Sequence, residues 1–377
     1  MTTHISDLGN IPLARPDITE SEIEAVAQVL RSDRLSIGPH IELFEQAVAH
    51  RASRKHGIGV NSGTSGLHLC VRGMGIGEGD EVITSPFSFI ATTNCILFER
   101  ATPIFVDIDI ETYNMDPQAV EAAITPRTKA ILPVEAFGNV AHFQAYDRIA
   151  RKHKLLLIED CCEALGGSLE GRPAGSFGDC GVFGFYPNKQ VTTGEGGVIV
   201  TDNDELAEAC RSMRNQGRSS ENANVFTRLG YNYRLTEVAA ALGERQMLRL
   251  DDILHQRRLI ARMYNEMLAP LDIHLPPCPD IEHASWFAYV IRLPDRFSAS
   301  QRDKILDHLN ARGIAVQAYF PAIHLQPYIQ ELLGIERGDF PVCECVADRT
   351  IVLPFFVGMT PEMILRIVEE LKKTLAG

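Results

Sequence analysis

Between residues 180 and 197 the chain reads Cys-Gly-Val-Phe-Gly-Phe-Tyr-Pro-Asn-Lys-Gln-Val-Thr-Thr-Gly-Glu-Gly-Gly, which holds one lysine, Lys189. An apolar run with strand character precedes this lysine, and a glycine-rich turn that feeds another strand follows it. A lysine anchored by backbone on both sides can aim its amine at a carbonyl, as Schiff-base chemistry requires. Lysines are usually solvated, so the reading of Lys189 depends on what other segments supply.

Asp160 ends the apolar run Leu155-Leu156-Leu157-Ile158, at the carboxyl edge where open α/β sheets hold ligands. A carboxylate there can keep a pyridinium nitrogen protonated, although an aspartate in that place also suits a helix cap. Gly63-Thr64-Ser65 lies at a turn that opens a helix, where backbone N–H groups, the helix dipole and two hydroxyls suit a phosphate. A simple capping turn would use the same residues. Ser85-Pro86-Phe87-Ser88-Phe89 follows a strand and offers Phe89 as an aromatic wall, a type of residue that more often serves the core. Lysine, carboxylate, phosphate cup and flat wall are together what pyridoxal 5'-phosphate needs from a protein. The series Gly73, Gly75, Gly77, Gly79 is a different matter: it follows a helix where a dinucleotide fingerprint needs a strand, so it reads as a surface turn.

These residues need a frame. Thr19, with Glu22 three positions on, marks a capped helix with apolar positions at Ile23, Val26, Val29 and Leu30, ending near Ser32. Short apolar strands are expected at 58–60, 81–84, 103–106, 130–134, 155–159, 181–185 and 198–201, most of them separated by helix-length segments. That is the pattern of an α/β domain with a largely parallel sheet. From Glu237 one long helical run continues past Arg258 and could link two domains. Beyond it, 286–293 reads as a strand, 301–310 as a helix, 315–319 as a strand and 360–376 as a terminal amphipathic helix. The expected division is a large domain over 1–250, including the N-terminal segment, and a smaller α+β domain over 251–377. Pro-Pro-Cys-Pro at 276–279 marks a stiff connector.

Composition narrows the function. A chain of 377 residues exceeds the ~250–300 at which single cores stop growing. Its net charge of −13 argues against nucleic acid as a general partner. An anionic substrate would need a local basic patch, for which Arg214 and Arg218 are candidates, as is a solvated loop. Nine scattered cysteines do not resemble a secreted disulfide framework, and their spacings are not those of zinc ligands, so no metal is expected. With no signal-like start and no long apolar run, neither a membrane partner nor export is expected, and the cytoplasm is the default.

In order along the chain come Gly38-Pro39, Gly63-Thr64-Ser65, the segment 86–91, Pro103-Ile104-Phe105-Val106-Asp107-Ile108-Asp109, Glu159-Asp160, the segment 189–197, Gly230-Tyr231-Asn232-Tyr233-Arg234, and His324 in Pro321-Ala322-Ile323-His324. Over nearly its whole length the sequence thereby resembles the DegT/DnrJ/EryC/StrS family of sugar aminotransferases. The resemblance implies fold type I, with pyridoxal phosphate as cofactor. It implies Lys189 as the Schiff-base lysine, Asp160 on the pyridinium nitrogen, Thr64 and Ser65 on the phosphate, and Phe89 against the ring. Asn232 matches an asparagine that reaches the phosphate of a neighbouring subunit, implying a homodimer with shared sites. His324 and the region of Arg234 match positions facing the sugar nucleotide or the amino donor's carboxylate.

Two positions depart from the family pattern. Gly184 stands where a serine is common, and Glu163 where many relatives carry glutamine. A glutamate beside the ring oxygen could hold a proton or bind a basic partner. Glu163-Ala164-Leu165-Gly166 most resembles the perosamine-synthase-like branch, which aminates the 4-position. Lysine at 189, where a sugar-dehydrating relative carries histidine, implies transamination. The expected activity is amino transfer from L-glutamate to a nucleotide-linked keto deoxysugar in polysaccharide or glycoside biosynthesis. Amination of a 3-keto sugar or a cyclitol is the nearest alternative, and a non-catalytic cofactor-binding regulator a distant one.

Overall fold

The computed structural model describes residues 9–222, 224–277 and 283–375. The strands in chain order are β1 (His56–Val60), β2 (Glu81–Thr84), β3 (Thr102–Phe105), β4 (Thr128–Leu132), β5 (Leu156–Asp160), β6 (Ser168–Leu169), β7 (Arg172–Pro173), β8 (Cys180–Gly184), β9 (Gly197–Thr201), β10 (Tyr289–Arg292) and β11 (Thr350–Leu353). Seven of them form one sheet in the order β1-β9-β8-β5-β4-β2-β3. Only β9 runs against its neighbours; β8, β5, β4, β2 and β3 pair in parallel. The fold is the mostly parallel α/β architecture expected of fold type I.

Successive strand residues point to opposite faces, and both faces are apolar here. Val82, Leu132, Ile158, Val182 and Ile199 join the core on one face. On the other, Ile83, Ile131 and Leu157 form one cluster and Phe183, Val198 and Val200 another. A sheet apolar on both faces must be covered on both. The cover comes from helices α1 (Glu20–Leu30), α2 (Pro39–Arg51), α3 (Gly63–Gly73), α4 (Ala91–Phe98), α5 (Pro117–Ala122), α6 (Phe143–His153), α7 (Asp204–Arg214) and α8 (Glu237–Leu248).

The remaining helices are α9 (Leu250–Leu268), α10 (Ala299–Ala311), α11 (Pro327–Leu333), α12 (Pro341–Ala347) and α13 (Pro361–Leu375). Strands β10 and β11 pair antiparallel within a second large apolar cluster, which α9, α10 and α13 help to form. Helix α9 serves both bodies: Leu250, Ile253 and Leu254 pack in the first, and Ile260, Ala261, Tyr264 and Leu268 in the second. The first described residues also join the second body, since Ile11 packs there and its N–H donates to the Gly313 carbonyl at 2.8 Å. Among the described residues no helix is long and apolar enough to cross a membrane.

Two sequence expectations change. The long helical run from Glu237 is two helices, broken at Arg249, whose backbone leaves helical geometry (φ −108°, ψ 7°). The Arg249 guanidinium is tied to Asp17 and Glu22, a tertiary contact invisible to periodicity. The strand expected at 315–319 does not form a ladder: Ala315 bonds to Ile11 while Gln317 bridges to Val352, so its pairing is split between two partners. The connector at 276–279 and the end of the terminal helix run into residues outside those described.

Helix α2 begins at Gly38, which has no side chain to cap it, and a distant carboxylate takes over that role. Buried Glu237, at the start of α8, accepts the N–H groups of Gly38 (3.0 Å), His40 (3.0 Å) and Ile41 (2.9 Å). Phe44 on α2 then packs edge-on against Phe185, with ring centroids 4.9 Å apart, and so braces the segment leading to Lys189. Replacing Glu237 by alanine strands three donors. We expect Glu237→Ala to lower unfolding stability by about 3 kcal/mol or more, and Glu237→Gln, which retains an acceptor, by less; matched denaturation curves would read the difference.

Candidate active site

The sheet converges its loops on one edge. Ser62 to Thr64 follow β1, Ser88 and Phe89 follow β2, Val134 follows β4, Asp160 ends β5, Phe185 to Lys189 follow β8, and Glu195 and Gly196 lead into the reversed β9. All of these residues except Pro187 line one cavity of about 420 Å³. Parallel strands put their carboxyl ends on the same side, which is why open α/β sheets bind ligands there.

On the cavity wall Asp160 is 5% exposed. Its Oδ2 accepts the Thr92 hydroxyl at 2.8 Å and its Oδ1 the Cys162 N–H at 3.2 Å. Thr92 in turn bonds to the Ser88 hydroxyl at 2.9 Å. Sequence reading passed over Thr92; the signal was present in Ser88 and Thr92 four residues apart, on one face of a helical turn.

Lys189 Nζ lies 3.3 Å from Glu163 Oε1 and 3.9 Å from the centre of the Phe287 ring. The other Glu163 oxygen accepts the Phe137 N–H at 2.9 Å. Burial raises the Glu163 carboxyl above its ordinary range, against the pull of the Lys189 ammonium. Phe287, from the second body, was legible only as part of a strand. Arg257 holds this region, donating to the carbonyls of Trp286 (3.1 Å) and Phe287 (3.2 Å). Its burial brings the guanidinium down to about 10.

At the mouth of α3, Ser62 takes the Ser65 N–H at 3.1 Å and faces its hydroxyl at 3.0 Å. Gly63 and Thr64 line the cavity, whereas Ser65 is turned inward. Ser62, a residue type favoured as a helix cap, is thus a cavity residue that capping logic could have found. Phe89 is 59% exposed at the rim, while its neighbour Phe87 is fully buried. Asn188 Oδ1 is buried in the wall with no hydrogen-bond partner.

The other expected contacts stand apart from this cavity. Asn232 is exposed, its carbonyl accepting from Asn61 Nδ2 at 3.5 Å. Arg234 donates to Asn215 Oδ1 at 3.1 Å. Arg214 is engaged with the Glu45 carboxylate and the Gly59 carbonyl, and Arg218 lies over the Phe226 ring at 5.5 Å. His324 is fully buried against Phe340, with Nε2 3.1 Å from Glu344.

Comparison with known proteins adds relatives to this geometry. Residues 16–372 match the model of the DegT/DnrJ/EryC1/StrS aminotransferase family. The chain is 37% identical to GDP-perosamine synthase of Caulobacter vibrioides, covering 98% of this chain and 100% of that protein. It is 35% identical to the spore coat polysaccharide biosynthesis protein SpsC of Bacillus subtilis, covering 97% of each. Among solved structures, the PLP form of the putative sugar aminotransferase Spr1654 from Streptococcus pneumoniae superposes with a TM-score of 0.93 at 28% identity, covering 97% of this chain and 99% of that one.

The cavity suits pyridoxal phosphate on its own evidence. A helix N-terminus at its lip favours a phosphate, a buried carboxylate faces it, an amine enters it, and the unpaired Asn188 oxygen is open to a donor. Steric fit also accounts for one departure from the family pattern. A Cβ built on Gly184 would lie 3.2 Å from both Cβ and Sγ of Cys162, and one on Gly63 would lie 2.8 Å from Cys162 Sγ. Cys162 cannot easily yield, because its N–H is spent on Asp160 and its thiol bonds to the Val182 carbonyl at 3.6 Å. A serine at 184 would therefore crowd Cys162, and a smaller residue at 162 would relieve it. Gly184→Ser alone should weaken cofactor binding about tenfold through overpacking, and Cys162→Ala in the same chain should recover it; absorbance titration of the apoenzyme would measure both, and additive effects would refute the pairing.

Proposed function

The chain belongs to the DegT/DnrJ/EryC1/StrS aminotransferase family, and from that premise we propose that it transfers the amino group of L-glutamate to the 4-keto group of a nucleotide-linked deoxysugar. That it is a pyridoxal-phosphate-dependent sugar aminotransferase follows from its relatives; the donor, the nucleotide linkage and the 4-position are the proposal. The carrying observation is that Lys189, Asp160 and the first turn of α3 all line one cavity. The kinship to GDP-perosamine synthase and the Glu163–Gly166 segment support the 4-position.

When bound, pyridoxal phosphate supplies an electron sink and carries the amino group from donor to acceptor. The residues around it divide the remaining work. Asp160, held by Thr92 and the Cys162 N–H, would keep a proton on the ring nitrogen. Lys189 Nζ, once released from its covalent role, would take a proton from the donor carbon and return it as general base and acid. Glu163, 3.3 Å from that amine, would orient it between steps, while Gly63 and Thr64 at the cavity's edge would anchor the phosphate. Phe89 and Phe287 would keep water from the reacting face. Because both half-reactions use one site, ping-pong kinetics are expected.

We further propose a homodimer whose sites are completed across a two-fold axis. The arm between Asn215 and Asn232 exposes Val225 (45%), Phe226 (58%) and Leu229 (66%), an apolar surface that a second copy would cover. Asn232 and Arg234 stand at the base of this arm. Eight described cysteines are free, which suits a reducing compartment such as the cytoplasm.

A panel of keto sugar nucleotides with glutamate as donor would test the substrate: a 4-amino product identified by NMR is expected, and a 3-amino product would overturn the regiochemistry. Shared sites have a separate test. Lys189→Ala and Asn232→Asp, each inactive alone, should regain activity when subunits exchange, up to about half the wild-type value per mixed dimer, since one of its two sites carries neither lesion. Silence after verified exchange would place Asn232 in its own subunit's site.

A further inference from the structure

Behind the cavity lies a carboxyl group that the reaction does not use. Glu135 follows β4 and is fully buried, with neither oxygen hydrogen-bonded to a recorded donor. It faces Glu159, also fully buried, and Cys161; single ligand-type atoms of the three lie within 4.8 Å of one another. Glu159 is well supplied. It accepts the N–H groups of Gly175 (3.0 Å) and Gly178 (2.6 Å), and the Arg54 guanidinium lies 3.8 Å away. Arg54 is divided further between Asp202 and the Gly175 carbonyl. The other titratable groups facing the pair are Cys161 and Asp160, so apart from Arg54 every group near it is acidic.

Two carboxylates in contact in a buried site cannot both ionise. The proton belongs on the member without donors, because Glu159 alone has N–H groups and a cation to stabilise its charge. We propose that Glu135 is a neutral carboxylic acid whose hydroxyl donates to the Glu159 carboxylate, and that this proton-sharing pair is a positioning element for Asp160. The reading concerns this chain's own residues and stands whatever sugar is the substrate. Burial first, and then the Glu159 charge, hold the Glu135 carboxyl well above its ordinary range.

The backbone connects the pair to the cavity. Glu135 N–H donates to the Asp160 carbonyl at 3.2 Å, and Asp160 N–H to the Pro133 carbonyl at 3.0 Å. Adjacent residues of a strand point to opposite faces, so Glu159 meets Glu135 on one side of β5 while Asp160 reaches the cavity on the other. Ionising Glu135 would set two anions across the joined ends of β4 and β5. The repulsion would part those ends and shift the Asp160 carboxylate.

Glu135→Gln tests this, since an amide keeps the donor and cannot ionise. A folded-state pKa raised above the unfolded value makes stability fall as pH rises from the ordinary carboxylate range toward the folded value. Wild type should therefore lose ground to Glu135→Gln between about pH 5 and pH 8, with a melting-temperature gap that grows to about 2 °C or more. Infrared difference spectra at about pH 8 should show a carboxylic-acid carbonyl band in wild type that Glu135→Gln lacks. Cofactor affinity should weaken toward alkaline pH more in wild type than in the variant. Parallel melting curves with no acid band would overturn the shared proton, and identical affinity profiles would overturn the positioning role. A stoichiometric divalent metal in the purified protein, lost in Glu135→Gln, would make the cluster a metal site and also overturn the proposal. If the variant does not fold, the acid band is read in Glu163→Gln, which removes the other carboxyl raised by burial: its persistence supports the shared proton and its absence overturns it.

Discussion

A carboxylate buried at the end of a central strand is the constraint around which this protein is organised. An anion at 5% exposure needs donors, and Asp160 obtains them from the hydroxyl of Thr92 and the backbone of Cys162. Each donor restricts something else. Thr92 fixes how α4 approaches the sheet, and Cys162 fixes the turn after β5, whose sulfur then leaves little room for a side chain at 63 and a tight fit for one at 184. Packing and electrostatics are here one problem, because the atoms that stabilise the charge also determine how much room remains beside it.

Acidic groups gather around that carboxylate while the cations stay at its margins. Lys189 approaches from the cavity side near Glu163, and Arg54 approaches from beneath near Glu159. Between them Glu135 has neither a cation nor an N–H donor. Such an arrangement is tolerable only if some of the carboxyls carry protons, and burial raises both Glu135 and Glu163. Protonation at these positions thereby becomes part of the fold and not merely a property of the solution.

The second body supplies a lid edge to the cavity without forming its floor. Phe287 lies against the Lys189 amine, and Tyr319 completes the wall. Arg257, on the helix shared by both apolar clusters, donates to the carbonyls beside Phe287. The two bodies are therefore coupled through a helix in which a bend would be felt at the lysine.

Much of this was legible in order along the chain. Short apolar runs located the seven sheet strands to within a few residues, because a strand buried on both faces is apolar at nearly every position. Lys189, Asp160 and Gly63-Thr64 were legible because each lies at a strand end beside glycine or hydroxyl residues, where backbone geometry itself constrains residue type. Other features depended on partners remote in sequence. The break at Arg249 rests on Asp17 and Glu22, the cap of α2 on Glu237, the split pairing of 315–319 on Ile11 and Val352, and the pairing of Glu135 with Glu159 on two strands meeting. Arg214 and His324 look alike in sequence to residues that greet a substrate, yet the fold engages one with Glu45 and buries the other beside Glu344. Local pattern decides which segment becomes strand, helix or turn; which charge meets which is decided only when distant segments pack, since a carboxylate's partner is a matter of distance in space and leaves no period in the chain.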